Sequence, residues 1–440
     1  MAYPKLTDEP GAIETAAQIR DGRLSTREAV DAAIARIEAC DGAINAVVVR
    51  DFDRARHAAK LLESNGPQPG QPLFGVPMTV KESFDVAGLP TCWGITEHAG
   101  TIATTDSVVV QRLKRAGVVI LGKTNIPPML ADWQATNPVY GQTVNPHDSA
   151  RTPGGSSGGS AAALATGMVA AEYGSDIGGS IRIPAHFSGV WGHKTTWGVV
   201  TSKGQEFPGT DGHDVALGVV GPLARSGEDL ALLLEVTLDR PLVLATKPIA
   251  QSRIFYLEQH PLCPVSDEVR APIEAVVERI EAAGGAVDRR SDLLPDLAPL
   301  HAQYMRMLQV AMMRGAPGPD GQVATAAQWF EMLDAQHHAQ QAWAALFAHY
   351  DFVLAAPAAI PAFAHDERAM PDRVWEVNGE PHGAEAVLAY AGMAVFAGLP
   401  ATVLPVGAAG HLPVGIQVIG DRFRDRDCIA MATAIGALPG

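Results

Sequence analysis

The sequence is poor in charge and in cysteine. Charged residues make up 18% of the 440 residues, against roughly 25% in an average globular protein, and 33 Lys and Arg stand against 48 Asp and Glu, a net charge of −15. No run of five or more basic residues occurs, so the cationic surface that binds a phosphate backbone is missing and we expect no nucleic-acid partner. The four cysteines form no CxxC pair, which argues against a disulfide framework and against a zinc site. We therefore expect a metal-free protein of the reducing cytoplasm.

Long apolar segments that would direct the chain to a membrane are also missing. The start of the chain, from Met1–Lys5 onwards, is polar and has no apolar stretch of the kind that directs export. The uncharged run Val387–Gly410 exceeds the roughly 20 residues that span a bilayer, but glycine and proline interrupt it repeatedly. We interpret it as a buried helix that ends near Gly398, followed by a core strand Ala401–Leu404 as apolar as the strands of a parallel sheet. No membrane association is expected.

What the sequence does contain is an alternation of helix and strand signals. Ser25 opens a capping box ahead of apolar residues at helical spacing. The apolar run Gly75–Val80 predicts a short strand that carries Lys81 at its end. Two further helices are predicted to begin at Ser226 and Ser266. The alternation continues to the end of the chain and no linker divides it, which predicts an α/β fold with a largely covered sheet.

A stretch rich in glycine and serine, Thr152–Ser160, leads directly into the alanine-rich helix start Ala161–Leu164. A flexible linker is one interpretation, but a linker is not expected to open onto a helix whose free N–H groups favour anionic oxygen. A phosphate-binding loop needs a Lys and a Ser or Thr after its last glycine, which this stretch lacks. Gly154–Gly158 matches the nucleophile elbow G-x-S-x-G around Ser156, but the polar Asn145–Arg151 stands where the elbow needs a strand.

A further interpretation joins this loop to a second glycine-rich turn, Ile177–Ser180, and to Lys81. Amide hydrolysis needs a nucleophile, a base that passes its proton to the departing amine, and donors for the developing oxyanion. A lysine can be that base only when it is neutral, and burial at the end of an apolar strand lowers a lysine pKa. The two glycines of the turn leave its backbone N–H groups free to point inward. On the residues alone, an exposed lysine at a strand edge and an ordinary tight turn remain open.

Longer motifs carry a family resemblance. The sequence resembles the amidase signature family in the long stretch that runs from Gly154–Ser160 to Gly178–Pro184. Supporting matches, spread over most of the chain, lie at Leu121–Asn125, Gly221–Ser226 and Leu412–Gln417. The family includes bacterial amidases, fatty acid amide hydrolase and the glutaminyl-tRNA amidotransferase A subunit.

The resemblance implies an α/β fold formed by a single large domain, residues 1–440, in which helices cover both faces of a central mixed, twisted β-sheet. The core motif region spans about residues 75–200, and a variable helical region at about residues 300–350 shapes the substrate pocket. Two departures from the family pattern leave the choice of substrate open. His193–Val199 replaces the usual Lys-Pro-Thr and Gly-Arg, and Pro128 stands where the family commonly has Glu.

The resemblance also implies catalytic roles. By position, Ser180 is the nucleophile, Lys81 is the base, and Ser156 is the bridging serine that relays the proton between them. The spacings between these three residues agree with those of fatty acid amide hydrolase. No histidine is needed in this scheme, and the sequence contains no HExxH motif that would suggest zinc.

Backbone groups and side chains near the nucleophile have implied roles as well. The implied oxyanion hole consists of the backbone N–H groups of Ile177, Gly178, Gly179 and Ser180. The implied acyl pocket is lined by Leu130 and Ala131. Asp176 and Arg182 flank the nucleophile with opposite charges, and we expect them to pair and fix the turn without acting in the reaction.

We therefore expect a serine hydrolase that cleaves the carbon–nitrogen bond of small neutral amides, aryl or alkyl, through an acyl-enzyme on Ser180. Carbamates (urethanes) and esters are further candidate substrates. No cofactor or metal is expected, the partner is the small-molecule substrate, and the protein is expected to be a monomer or a homodimer. Three alternatives stay open: an amidotransferase A-type subunit that acts in a complex, an esterase of the α/β-hydrolase type that uses Ser156, and a degenerate binding protein that keeps the fold.

Overall fold

The computed structural model describes residues 6–245, 247–318 and 321–439. The α-helices are α1 Ala12–Arg20, α2 Thr26–Ile44, α3 Phe52–Asn65, α4 Val108–Arg115, α5 Gly158–Ala165, α6 Arg182–Ser188, α7 Gly227–Glu235, α8 Asp267–Ala282, α9 Leu297–Met313, α10 Ala326–Phe347, α11 Ala384–Val387, α12 Ala389–Phe396 and α13 Asp425–Gly436. The strands are β1 Val47–Arg50, β2 Pro77–Lys81, β3 Val119–Thr124, β4 Thr136–Asn137, β5 Gly141–Gln142, β6 Glu172–Asp176, β7 Trp191–Lys194, β8 Val219–Ala224, β9 Arg253–Leu257, β10 Ala286–Asp288, β11 Phe352–Ala355, β12 Val374–Val377, β13 Glu380–Gly383, β14 Ala401–Ala409 and β15 Leu412–Ile419.

Eight strands form one large mixed sheet in the order β10-β9-β11-β15-β14-β7-β8-β6. β9 pairs in parallel with β10 and with β11, and each later pair in that order is antiparallel. The β14–β15 ladder pairs Ala401 with Ile419 at one end and Ala409 with Leu412 at the other, with a bulge between Pro405 and Gly407. The predicted α/β fold with a mixed sheet is confirmed.

The burial of β15 explains why the sheet carries helices on both sides. All eight of its residues are buried, and successive side chains of a strand point to opposite faces, so both faces need cover. Helices α6, α8 and α13 each pack against β14 and β15. The largest apolar core joins these strands to α8, α9, α10 and α12.

The uncharged run that raised the question of a membrane span folds as helix α12 followed by strand β14, as predicted. Gly398 follows the helix with a φ of +69°, a left-handed conformation that favours glycine. β14 is as apolar as a buried parallel strand, but it is antiparallel to both of its neighbours, and its apolar character comes from cover on both faces. Among the described residues, no helix combines the length and the apolar character that crossing a bilayer requires.

Helix starts follow the sequence signals with one exception. At α2, Glu28 N donates to Ser25 Oγ at 3.1 Å and Ser25 N donates to Glu28 Oε2 at 2.8 Å, which completes the capping box. At α7, Asp229 N donates to Ser226 Oγ at 3.1 Å. Ser266 does precede α8, but its buried hydroxyl makes no capping bond. The start of α8 is predicted correctly, while the hydrogen bond that motivated the prediction is absent.

A second, three-stranded sheet, β1-β3-β2, positions the lysine. β2 runs parallel to β3, and an isolated parallel bridge between Met78 of β2 and Ala171 links this sheet to the β6 edge of the large sheet. β2 and β6 therefore lie side by side and run in the same direction. Their carboxyl ends, Lys81 and Asp176, meet at one edge, where α/β folds commonly place their functional sites.

Candidate active site

Two strand ends and two helix starts converge on one cavity. Lys81 ends β2, and Ser175 is the last residue but one of β6. Ser156 lies in the loop that opens α5, and Ser180 lies in the turn between β6 and α6. These three serines line a narrow cavity of about 70 Å³, which we call the catalytic cavity. The residues to which the family resemblance assigns catalytic roles are thus brought together.

The amine of Lys81 is surrounded by serine oxygens. Nζ donates to Ser156 Oγ at 2.7 Å and to Ser175 Oγ at 2.9 Å, and it lies 3.5 Å from the carbonyl oxygen of Ser175. The Lys81 side chain is completely buried, with 0% of its surface exposed. The structure therefore excludes the exposed strand-edge lysine that the residues alone left open.

Burial decides the charge of Lys81. Removal of the ammonium group from water lowers the pKa of Lys81 from 10.5 to about 7, and the carboxylate of Asp176 opposes this shift only in part. A substantial fraction of Lys81 is therefore neutral near pH 7. Neutral lysine has a lone pair, so it can accept a proton from Ser156 across the 2.7 Å contact.

Ser156 and Ser180 share the catalytic cavity without a direct hydrogen bond. In the part of the chain that the structure describes, the Ser180 hydroxyl has no hydrogen-bond partner, whereas Ser156 Oγ accepts from Lys81. The backbone ties the two loops together, since Ser157 N donates to Ser180 O at 3.1 Å. The Ser180 hydroxyl is free to rotate, and catalytic hydrogen bonds of this kind often tighten only when substrate binds.

The turn Ile177–Ser180 leaves most of its N–H groups free. Three of the four make no hydrogen bond within the described residues, but Gly179 N donates to Asp176 Oδ1 at 2.9 Å. In this structure the Gly179 N–H closes the turn, and its part in the oxyanion hole stays a prediction. Glycine is needed there for another reason: its φ is +94°, and an added Cβ would lie 2.7 Å from Ile183 Cγ1. The free donors belong to Ile177, Gly178 and Ser180.

Two aromatic side chains hold the carbonyl groups of the same turn. Trp133 Nε1 donates to Gly178 O at 2.8 Å, and the Tyr304 hydroxyl donates to Ile177 O at 2.9 Å. In a planar trans peptide the carbonyl and the following N–H point in opposite directions, so the Tyr304 bond also fixes the direction of the Gly178 N–H. Tyr304 lies on α9, outside the core motif region. A helix of the variable region therefore supports the predicted oxyanion hole.

Asp176 and Arg182 pair as expected. Arg182 Nη2 and Nε each donate to the carboxylate at 3.0 Å, and both side chains are completely buried. Burial acts to raise the pKa of Asp176, but the Arg182 guanidinium, together with Lys194 and the Gly179 N–H, outweighs it and the pKa lies below its usual value. Ile181 N donates to the same carboxylate at 3.2 Å, and Arg182 Nη1 donates to Gln417 Oε1 at 3.0 Å. The pair fixes the turn from its buried side.

The walls of the catalytic cavity are largely apolar. The apolar side chains in the lining are those of Trp93, Met129, Leu130, Ile177, Phe207, Val215, Val219, Ala311 and Met312. Leu130 thus lies where the resemblance places it. Ala131 is exposed and is not among the lining residues. Met129 and Leu130 have positive φ values of 55° and 59°, so the chain turns sharply here, and Met129 reaches the wall in addition to Leu130.

Two polar residues near Lys81, Ser175 and Gln205, are not predicted from the sequence. Ser175 Oγ accepts hydrogen bonds from Lys81 and from Gln205 Nε2, the latter at 3.2 Å, and Gln205 Nε2 also donates to Ser83 Oγ at 3.0 Å. Ser175 directly precedes Asp176, so its place in the motif was visible. Its contact with Lys81 depends on the alignment of β2 with β6, for which the sequence carries no local signal.

Known proteins resemble this chain in sequence and in fold. The chain matches the family model described as Amidase over residues 28–315 and 301–429. The indoleacetamide hydrolase of Bradyrhizobium diazoefficiens is 31% identical to it, over 96% of this chain and 85% of that protein. Fatty-acid amide hydrolase 2 of Homo sapiens is 30% identical, over 98% and 90% respectively. The structure of 6-aminohexanoate cyclic dimer hydrolase superposes with a TM-score of 0.83 at 26% identity, over 98% and 97%.

The fold and these matches identify the chain as an α/β enzyme that hydrolyses carbon–nitrogen bonds of amides. The match over most of its length then gives the family, and the chain belongs to the amidase family. The resemblance recognised in the glycine- and serine-rich motifs is confirmed.

Proposed function

We propose that the enzyme hydrolyses small amides through an acyl-enzyme on Ser180, with Lys81 as the base and Ser156 as the proton relay. One observation carries the proposal. The fully buried Lys81, whose pKa is about 7, lies 2.7 Å from the Ser156 hydroxyl, and Ser156 shares its cavity with Ser180. A lysine in this state can take up and return a proton at neutral pH.

In the acylation step the proton moves from Ser180 towards Lys81. Neutral Lys81 accepts the proton of Ser156, Ser156 accepts the proton of Ser180, and Ser180 Oγ attacks the amide carbonyl carbon. The free N–H groups of the Ile177–Ser180 turn stabilise the oxyanion that forms. When the carbon–nitrogen bond breaks, Ser156 donates a proton to the departing nitrogen and Lys81 returns its proton to Ser156. The amine leaves in its neutral form.

In the deacylation step a water molecule attacks the ester carbonyl on Ser180. Lys81 again acts as base for the proton that the water gives up, and the same turn stabilises the second oxyanion. The ester bond then breaks, Ser180 recovers its proton and the carboxylic acid leaves. Each cycle consumes one water and releases one acid and one amine.

The lining of the catalytic cavity favours an apolar group beside the scissile bond. Trp93 and Phe207 pack edge to face at 5.6 Å between ring centroids, and both line the cavity. Two relatives that match nearly the whole chain are named for indoleacetamide and for fatty-acid amides. We infer that the group next to the carbonyl is a neutral aryl or alkyl group. Carbamates and esters present the same carbonyl to Ser180 and are candidate substrates of the same machinery.

The test is hydrolysis by the purified chain alone of a panel of anilides, aliphatic amides, carbamates and esters that share one acyl or amine group. We expect turnover of amides without a partner protein and loss of turnover in Ser180→Ala. Amide hydrolysis that requires a second protein would instead support an amidotransferase A-type subunit. Activity that survives in Ser180→Ala but not in Ser156→Ala would support the esterase.

A further inference from the structure

A second, larger cavity adjoins the catalytic cavity. It measures about 680 Å³, against about 70 Å³ at Ser180, and the two cavities share Val215, Ala311 and Arg314 in their walls. We call this larger cavity the outer chamber. A substrate whose carbonyl reaches Ser180 finds little room beside it, so a larger part of the substrate has to extend past the shared residues into the outer chamber.

The wall of the outer chamber combines aromatic rings with two arginines. Trp197 and Trp329 contribute the rings, and Arg314 and Arg422 contribute the guanidinium groups. Within the described ranges, neither guanidinium group has a carboxylate partner, and that of Arg422 lies over the Phe423 ring, 5.0 Å from its centroid. Arg422 Nη1 donates to Gln340 Oε1 at 3.3 Å, but Arg422 Nε is buried with no hydrogen-bond partner. Since Nε has almost no accessible surface, the groups that can meet a ligand are the terminal N–H groups of the two guanidinium groups.

The charged side chains in the wall give the outer chamber an excess of positive charge. The acidic side chain in the lining is Asp214, whose Oδ1 accepts from Ser202 N at 3.1 Å and from Ser202 Oγ at 2.7 Å. Two arginines therefore stand against one aspartate that is already hydrogen-bonded elsewhere. In a chain with a net charge of −15, a cavity with an excess of positive charge is suited to an anionic ligand.

We propose that the outer chamber binds a carboxylate at the far end of the substrate. This inference rests on the proposed function and refines it: the amide and its immediate neighbours are neutral, an apolar or aromatic arm lies along Trp197 and Trp329, and a carboxylate ends the arm at Arg422 and Arg314. A carboxylate matches the planar fork of a guanidinium group. It would supply the carboxylate partner that both guanidinium groups lack. The substrate class is an amide with an acidic group remote from the scissile bond.

Binding of substrate fragments tests this inference without catalysis. Calorimetric titration compares 6-phenylhexanoate with its uncharged counterpart 6-phenylhexan-1-ol. We expect the acid to bind about 10- to 100-fold more tightly, as for a hydrogen bond to a charged group. Arg422→Gln should remove that difference and Arg422→Lys should restore part of it. Arg290→Gln, a change at an exposed arginine outside both cavities, should leave it intact. Equal binding of acid and alcohol by the unaltered enzyme would overturn the inference.

Turnover then shows which side of the amide bond carries the acid. One arm of the experiment compares 4-nitroanilides of dicarboxylic acids with those of monocarboxylic acids of equal chain length. The other compares acetylated anilines whose para chain ends in a carboxylate or in a methyl group. A higher kcat/KM for the acidic substrate in either arm, with the preference reduced about tenfold or more in Arg422→Gln, supports the inference. Equal kcat/KM for neutral and acidic substrates overturns it and leaves the proposed function standing. Absence of all turnover would count against the proposed function, and the titrations would still decide the inference. If Arg422→Gln does not fold, Arg314→Gln provides the same comparison.

Discussion

At the scale of single residues, the chemistry depends on the charge of Lys81. Its amine is wholly buried, yet it is in contact with the hydroxyl groups of Ser156 and Ser175. These contacts satisfy the amine in either protonation state, because hydroxyl oxygens accept from ammonium and hydroxyl protons can be donated to the neutral amine. Burial lowers the pKa to about 7, so the group can be both acceptor and donor within one catalytic cycle.

We predict that kcat/KM rises with pH through the pKa of Lys81. Below about pH 7 the lysine is protonated and cannot accept a proton, so the rate increases about tenfold per pH unit until the plateau is reached near the pKa of about 7. Lys81→Arg should lower kcat/KM by about 10²- to 10⁴-fold, the usual contribution of a general base, because arginine stays charged. Stopped assays over a pH series measure both effects. Lys60→Arg, at an exposed lysine, serves as the control, and a flat pH profile would refute the role of Lys81 as base.

The sequence predicts some of these residues and misses others for a physical reason. The family resemblance implies Lys81, Ser156 and Ser180, because they sit within motifs that can be read along the sequence, whereas the local patterns alone left an exposed lysine and an ordinary turn open. The contact of Ser175 with Lys81 joins two sheets, and the use of the Gly179 N–H depends on where the Asp176 carboxylate points. Both are set by tertiary packing, which no local pattern reports.

At the scale of elements, the turn between β6 and α6 is held from two directions. The Asp176 carboxylate, which is paired with Arg182, accepts from Gly179 N and Ile181 N, while the Trp133 and Tyr304 side chains donate to carbonyl groups of the turn. A turn constrained on both sides can present its remaining N–H groups in a fixed array. Preorganisation of this kind is what stabilises an oxyanion without rearrangement during the reaction.

We predict that Tyr304→Phe lowers kcat about tenfold with little change in KM. The variant removes the hydroxyl that holds Ile177 O, so the Gly178 N–H loses its fixed direction while the apolar wall of the cavity is kept. The effect should be smaller than the roughly 10²- to 10³-fold loss caused by removal of an oxyanion donor itself. Steady-state kinetics separate kcat from KM.

Tyr256→Phe is the matched control, because its hydroxyl donates to Glu274 Oε1 at 3.1 Å, on helix α8, and contacts neither the turn nor either cavity. A Tyr304→Phe variant with unchanged kcat and raised KM would show that Tyr304 contributes to substrate binding and does not position the turn.

Sequence patterns predict the positions of several helices and strands but not how the strands pair. β2, α12 and β14 appear where apolar runs and glycines place them. The pairing of β14 with β7 could not be predicted, because the two strands lie far apart in the sequence. The direction of its pairing with β15 could not be predicted either, because a fully buried run looks the same in parallel and antiparallel sheets. The single domain of residues 1–440 stays a prediction, as do the cytoplasmic location and the monomer or homodimer.

At the scale of the whole molecule, buried lysines link stability to pH. Lys81, Lys123 and Lys194 are each 0% exposed, and burial lowers their pKa values to about 7, about 8 and about 7. In the unfolded chain each keeps a pKa near 10.5. Between these values the unfolded state binds more protons than the folded state, so the free energy of unfolding rises with pH.

We predict that thermal stability increases between about pH 8 and pH 9. Each fully depressed lysine contributes about 1.4 kcal/mol per pH unit in this range. Glu172, whose pKa burial raises to about 8, acts in the opposite direction only below that pH. Lys194→Met should reduce the slope by about one proton, and denaturant titrations at a series of pH values measure it. A slope that Lys194→Met leaves unchanged would contradict the prediction.

The most direct test of the whole account is covalent labelling with a fluorophosphonate, followed by mass spectrometry of the digested protein. The account predicts that the mass of the probe is added to the peptide that contains Ser180, at a rate that falls sharply in Lys81→Met. Labelling of Ser156 in place of Ser180, or no labelling of the active enzyme, would contradict it.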